Sequence, residues 1–149
     1  MNTLAKTFAA AALIAVSTFT MAAGKPVGDN SKKAVVNLST ADLAIDHYVV
    51  VMTEGQSAGV EQLFTSDFNQ KAHASTNRIN SRSEVISFLK KQKGEQLNCK
   101  TSTTIVEQSS DYMVAKVTQQ FEGFTKTDLV TLVNDGGNWK VSQSINTYK

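Results

Sequence analysis

From Gln96 to the C-terminus the chain is patterned for a sheet, and this constrains its fold more than any other feature. Four stretches, "QLNCKTSTTIVEQ", "DYMVAKVTQQFEGF", "KTDLVTLV" and "NWKVSQSINTY", are long and rich in Thr, Val, Ile and aromatics. Between the last two lies "NDGGN", Asn134 to Asn138. Its Asp-Gly-Gly tolerates positive φ, which marks a tight hairpin. The expectation is therefore an antiparallel run of four strands.

Upstream the periodicity is different. "STADLAIDHYVVVMTEG", Ser39 to Gly55, reads as a helix capped by Ser39 or Thr40 and ended by Gly55. "SAGVEQLF", Ser57 to Phe64, reads as a short second helix, and "DFNQKAHA", Asp67 to Ala74, as a strand. "SRSEVISFLKKQK" opens with the capping box Ser81-x-x-Glu84 and continues at helical spacing. The element order is α-α-β-α-β-β-β-β. Helices gathered first and strands later indicate an α+β fold, three N-terminal helices packed on one face of a curved, mainly antiparallel sheet. A cavity between the two layers is where a ligand would sit.

The first residues fall outside that fold. Lys6 precedes "TFAAAALIAVSTF", an apolar core too short to span a bilayer, and "TMAAG" offers small residues for cleavage near Ala22, Ala23 or Gly24. Residues 1–23 are read as a signal peptide, 24–38 as a flexible leader and 39–149 as one domain. The expected location is periplasmic or secreted, with no membrane contact after cleavage. Cleavage removes only Lys6 from the charge balance and leaves 14 basic against 13 acidic residues, which argues against a nucleic-acid partner. Cys99 is the single cysteine, so no internal disulfide forms. Neither a CxxC, an HExxH nor a His-rich cluster occurs, so no metal site or cofactor is expected.

The stretches "GVEQLFTSDF", "SRSEVISFLK" and "DLVTLVNDGGNWKVSQSINTY" resemble the nuclear-transport-factor-2-like superfamily, also called cystatin-like, from Ala41 to Tyr148. Within it the chain is most similar to small exported lumazine-binding-like proteins. The resemblance implies a conical domain with a pocket between helices and sheet, and a homodimer formed through the sheet. The superfamily contains ketosteroid isomerase, scytalone dehydratase and limonene epoxide hydrolase beside many non-catalytic binders, so the residues must decide. By similarity to the steroid isomerases, Tyr48 falls at a place like their helix tyrosine and Asp128 at a place like their acidic hydrogen-bond donor. Their carboxylate base position lands on Ala72, where this chain departs from the pattern.

A helical wheel puts the apolar centre of the first helix near Ala44, Tyr48 and Val51, with Asp42, Asp46 and Thr53 on a narrow polar face. His47 lies at the edge of the buried arc. By strand alternation His73 faces away from Phe68, Gln70 and Ala72, and a slip of one residue would bring it into the cavity. Asp128 shares a face with Val130 and Leu132, Gln119 with Val117, Cys99 with Leu97, and Gln143 with Trp139 and Val141. The pocket candidates are Tyr48, Asp128, Cys99, Gln119, Gln143, His73 and His47, and no residue is assigned as catalytic. The leading functional reading is an exported, non-catalytic domain that binds a small apolar or aromatic molecule. One alternative is an isomerase- or dehydratase-type enzyme with Tyr48 and Asp128 as donors. The other is a protein-interaction module using the sheet face.

Overall fold

The computed structural model describes residues 35–73 and 78–149, apart from the side chain of His73. The expected signal peptide, its cleavage region and residues 24–34 of the leader lie outside these residues, while Leu38 at the leader's end is buried and its carbonyl accepts from the Trp139 N–H at 2.7 Å. The compact unit carrying the fold is Lys32–Lys149.

Among the described residues three helices and six strands follow one another: α1 (Ala41–Thr53), α2 (Val60–Leu63), β1 (Phe64–His73), β2 (Arg78–Ser81), α3 (Arg82–Lys91), β3 (Lys100–Gln108), β4 (Tyr112–Gln120), β5 (Thr125–Asp135) and β6 (Asn138–Tyr148). The α+β class and the expected order hold, with one addition. β2 was not anticipated; at four residues it is too short to show a period, and it owes its place to antiparallel pairing with β1. The strands form one open sheet in the order β2-β1-β6-β5-β4-β3. Among the described residues the β1–β6 pairing is parallel and the other four are antiparallel.

Local chemistry accounts for the boundaries. The side chain of Thr40 accepts the N–H of Leu43 and so starts α1. At α3 the Ser81 hydroxyl accepts from the Glu84 N–H and the Glu84 carboxylate accepts from the Ser81 N–H at 2.7 Å, the complete capping box. The β5–β6 hairpin turns through Gly136 and Gly137, whose φ values of 63° and 86° favour glycine. Gly55, φ 62°, lets the end of α1 meet the segment after α3, where a Cβ would lie 2.5 Å from the carbonyl oxygen of Gln92.

One face of the sheet carries the core. Met113, Ala115 and Val117 of β4, Val130 and Leu132 of β5, and Trp139 and Val141 of β6 are buried under Ala44, Tyr48 and Val51 of α1. Tyr48 meets Phe64 edge-on, and Phe64 packs on Phe68 with ring centres 4.4 Å apart. Thr53, placed on the polar face of α1 by the wheel, is buried instead, and its hydroxyl donates to the carbonyl of Val49 at 2.7 Å. That bond within the helix lets a threonine turn inward without an orphaned hydroxyl.

Candidate functional site

Toward one end of the sheet the inward residues change from apolar to polar. Register explains how they gather. Gln70 of β1 stands opposite Ser144 of β6; Asn146 lies between Ala72 and Asp128; Lys126 lies between Gln119 and Tyr148. Residues paired in this way share a face, so five strands contribute to one patch when Asn80 of β2, opposite Gln70, is counted. The patch floors a cavity of about 580 Å³. Val51, Met52 and Gly55 of the α1 end and Val85, Leu89 and Gln92 of the α3 end form its roof, and Phe88, Leu97, Phe121, Phe124 and Tyr148 its apolar mouth. That size and mixture suit a small organic molecule.

Three charged or ionisable groups sit side by side next to the cavity, and of these only Lys126 lines it; Tyr48 and Asp128, expected in the pocket, are buried behind its wall. Asp128 is fully buried, and its Oδ2 accepts from the Tyr48 hydroxyl at 3.1 Å and from the Lys126 ammonium at 2.9 Å. Burial, and then the negative charge of Asp128, push the Tyr48 phenol well above its ordinary range, so it stays protonated and donates. Asp128 acts here as a paired carboxylate and an acceptor. Its other oxygen, Oδ1, has no hydrogen-bond partner.

Unpartnered polar atoms recur along the floor. Gln119 is 1% exposed with neither amide atom bonded, and Asn146 is 5% exposed with Oδ1 unbonded. Gln70, also buried, accepts from Asn80 at 3.2 Å. An orphaned buried amide costs free energy, so a cluster of them beside a cavity points to a partner that enters.

Of the residues singled out in the sequence, Tyr48 and Asp128 form one buried pair and Gln119 lines the cavity. Three others are corrected. Gln143 turns to the opposite face and donates to Asn69 at 3.1 Å. The register slips between Thr131 and Leu132 of β5 as it pairs with Val141 and Gln143, a bulge that reverses the alternation of β6 beyond Val141. Cys99 lies ahead of β3, 3.7 Å from the Thr101 hydroxyl and outside the cavity lining, because β3 starts only at Lys100. His47 is drawn away by the carbonyl of Ala58, 2.9 Å from its Nε2. The side chain of His73 lies outside the described residues. Among the described residues no group of three or more His, Cys, Asp and Glu is placed to hold a metal ion.

Sequence reasoning missed Asn146 and Lys126, and it placed Gln70 inward without naming it as a pocket residue. Simple alternation from Trp139 sends Ser144 and Asn146 outward, and nothing local announces the bulge. Lys126, two residues before Asp128 on the same strand, was within reach of the alternation already applied there.

An α+β domain with this strand order and a cavity between helices and sheet has the nuclear-transport-factor-2-like fold. Solved structures agree. A nuclear-transport-factor-2-like protein from Silicibacter pomeroyi is 18% identical, with a TM-score of 0.61 over 72% of this chain and 92% of that one. One from Cytophaga hutchinsonii is 16% identical, with a TM-score of 0.57 over 70% and 91%. A Parabacteroides distasonis protein described as a "putative ketosteroid isomerase" is 10% identical, with a TM-score of 0.55 over 79% and 92%. At such identities the likeness is one of fold. Residues 37–145 match the family model described as "Putative lumazine-binding", and the chain belongs to that family. No curated protein matches the sequence.

Proposed function

We propose that the protein is an exported, non-catalytic binding domain that holds a small molecule, apolar or aromatic in body, between its helices and sheet. The observation that carries this reading is the pair of buried, unpartnered amides, Gln119 and Asn146, in the wall of a cavity with an aromatic mouth. The family description points the same way.

The chemistry of the floor favours binding over turnover. On the cavity side of β1 the residues are Phe68, Gln70 and Ala72, none of which takes a proton at neutral pH. Asp128 is already engaged by two donors. Glu84 and Glu95 are exposed where they line the cavity, and Glu84 is held below its ordinary pKa by the backbone N–H and then the hydroxyl of Ser81. A carboxylate stabilised in this way is a weak general base.

Native mass spectrometry of the mature protein, purified from the periplasm, tests the proposal. The expected spectrum shows a chain beginning near Gly24 with a bound molecule of a few hundred daltons. That adduct should be lost in Gln119→Leu/Asn146→Leu protein that still melts cooperatively. An unprocessed chain would overturn export, and an adduct that persists in the double variant would overturn the site.

A further inference from the structure

The two edges of the sheet are protected unequally. At one edge β2 is only four residues long and runs straight into α3. At the other, β3 runs for nine residues, and every one of them is exposed. The helices pack chiefly over β1, β2, β4, β5 and β6, so β3 overhangs their layer. Ile105 is 41% and Val106 60% exposed there. A long bare edge is a template for another strand, and natural proteins blunt such an edge with proline, internal charge, cover or a bulge. From Thr101 to Ile105 this edge has none of these, and the bulge between Ile105 and Glu107 lies beyond that stretch. We propose that its occupant is β3 of a second copy, paired antiparallel about a two-fold axis at Thr103 into one continuous sheet.

The backbone fixes which residues can pair across that edge. Just past β4 the Phe121 N–H donates to the Phe124 carbonyl at 2.9 Å, toward β5. At the other end of β4 the Tyr112 carbonyl accepts from the Ser109 N–H at 2.8 Å, on the β3 side. Hydrogen-bonding directions alternate along a strand, so the even-numbered residues of β4 serve β3. Their partners Lys100, Ser102 and Thr104 are thereby committed to β4, and Thr101, Thr103 and Ile105 turn their N–H and C=O to the open edge. A two-fold axis perpendicular to the sheet sets one residue opposite itself. Centred on Thr103, it sets Thr101 opposite Ile105 of the partner subunit, and all three outward residues exchange hydrogen bonds. The opposed side chains are then Thr–Thr and Thr–Ile, β-branched pairs that suit a ladder.

Charge selects the same register. Met113, Ala115, Val117 and Gln119 of β4 are buried on the inner face, so Val114 and Gln120 belong to the outer one. Their partners Glu107 and Lys100 share that outer face, at opposite ends of β3. With Thr103 on the axis, Lys100 falls beside Glu107 of the partner subunit, once at each end of the seam. A parallel pairing in register would set Lys100 beside Lys100 of the partner subunit instead. Lys100 makes no ion pair among the described residues. Glu107 keeps one carboxylate oxygen beyond the one that accepts from the Tyr112 hydroxyl. No residue of β3 lines the cavity, so the contact is independent of the ligand reading, and it leaves both faces of the sheet as they are.

Sedimentation velocity and cysteine cross-linking of the mature protein, both in a Cys99→Ala background, test the pairing. A strand edge is a small interface, so the dimer should be weak, dissociating on the order of tens of micromolar. Lys100→Glu should weaken it at least about tenfold and Glu107→Lys likewise, because each sets like charges together. Lys100→Glu/Glu107→Lys restores opposite charges and should restore the dimer. Residues directly opposed in such a pair lie about 5.5 Å apart, within reach of a disulfide. Thr103→Cys should therefore give a covalent dimer under mild oxidation, whereas Leu129→Cys, on the outer face, should not. A protein that stays monomeric at millimolar concentration overturns the proposal. So does a dimer that the charge exchange fails to restore, or one that cross-links through Leu129→Cys and not through Thr103→Cys, which would put the second copy on the face of the sheet.

Discussion

At the scale of single residues, the floor of the cavity sets stability against binding. Gln119 is sealed from water with two unmet hydrogen-bonding atoms, and replacing a buried orphan amide with a hydrocarbon of similar size relieves a cost of about 1–3 kcal/mol. Gln119→Leu should therefore unfold at a higher urea concentration than wild type; a lower midpoint would show that the amide is satisfied in solution. Lys126 has the opposite character. Its removal strands the fully buried Asp128 carboxylate, so Lys126→Met should cost about 3–5 kcal/mol, whereas Lys126→Met/Asp128→Leu should recover much of the loss. If the double variant were no better than the single, the pair would not be the cause. His47 gives the molecule a pH dependence. Partial burial holds its pKa below the ordinary 6.5, and the hydrogen bond to the Ala58 carbonyl offsets this only in part. The unfolded chain thus binds a proton that the folded chain resists, so the contribution of His47 is full above pH 6.5 and is lost as pH falls through its lower folded value. Melting temperature followed from pH 7.5 to pH 5 should decline, and His47→Gln should flatten part of that slope.

At the scale of elements, legibility follows the range of the interactions that fix each one. The capping box at Ser81 and Glu84 and the Asp-Gly-Gly turn are local devices, and both sit where the sequence places them. Strand β6 matches its expected span, Asn138 to Tyr148, because a turn residue marks its start and its β-branched and aromatic residues sustain it. Its facing, however, is set by a bulge that depends on β5 across the sheet, and so alternation named Gln143 where the cavity holds Asn146. Tyr48 and Asp128, 80 residues apart, were placed inward separately by the helical and strand periods, yet their mutual bond and the closing of Asp128 by Lys126 belong to the folded sheet. The bulge makes its own prediction. Asn146→Leu should weaken ligand retention at least about tenfold, while Gln143→Leu, on the far face, should change it by less than twofold. Equal losses in the two variants would mean that β6 takes the unbulged register in solution.

At the scale of the whole molecule, chain order and sheet order run against each other. β6 comes last in chain order among the described strands, yet it lies third in the sheet, between β1 and β5, and supplies both a parallel and an antiparallel partner. Until it pairs, β1 and β2 have no connection to the β3–β5 meander except through the helices. Trp139 and Val141 then complete the core, and Asn146 completes the polar floor. Fold and site are therefore finished by the same strand. Ligand that binds only the folded chain should raise its stability by RT ln(1 + [L]/Kd), about 2.7 kcal/mol at a hundredfold excess over Kd. Deletion of residues 138–149 removes both halves of this linkage. The truncated chain should show no cooperative melt and no ligand-dependent shift, and supplying the deleted strand as a separate peptide should restore both together. Recovery of a cooperative melt without any peptide would show that β1–β5 can close a core of their own, and would separate the folding role of β6 from its place in the site.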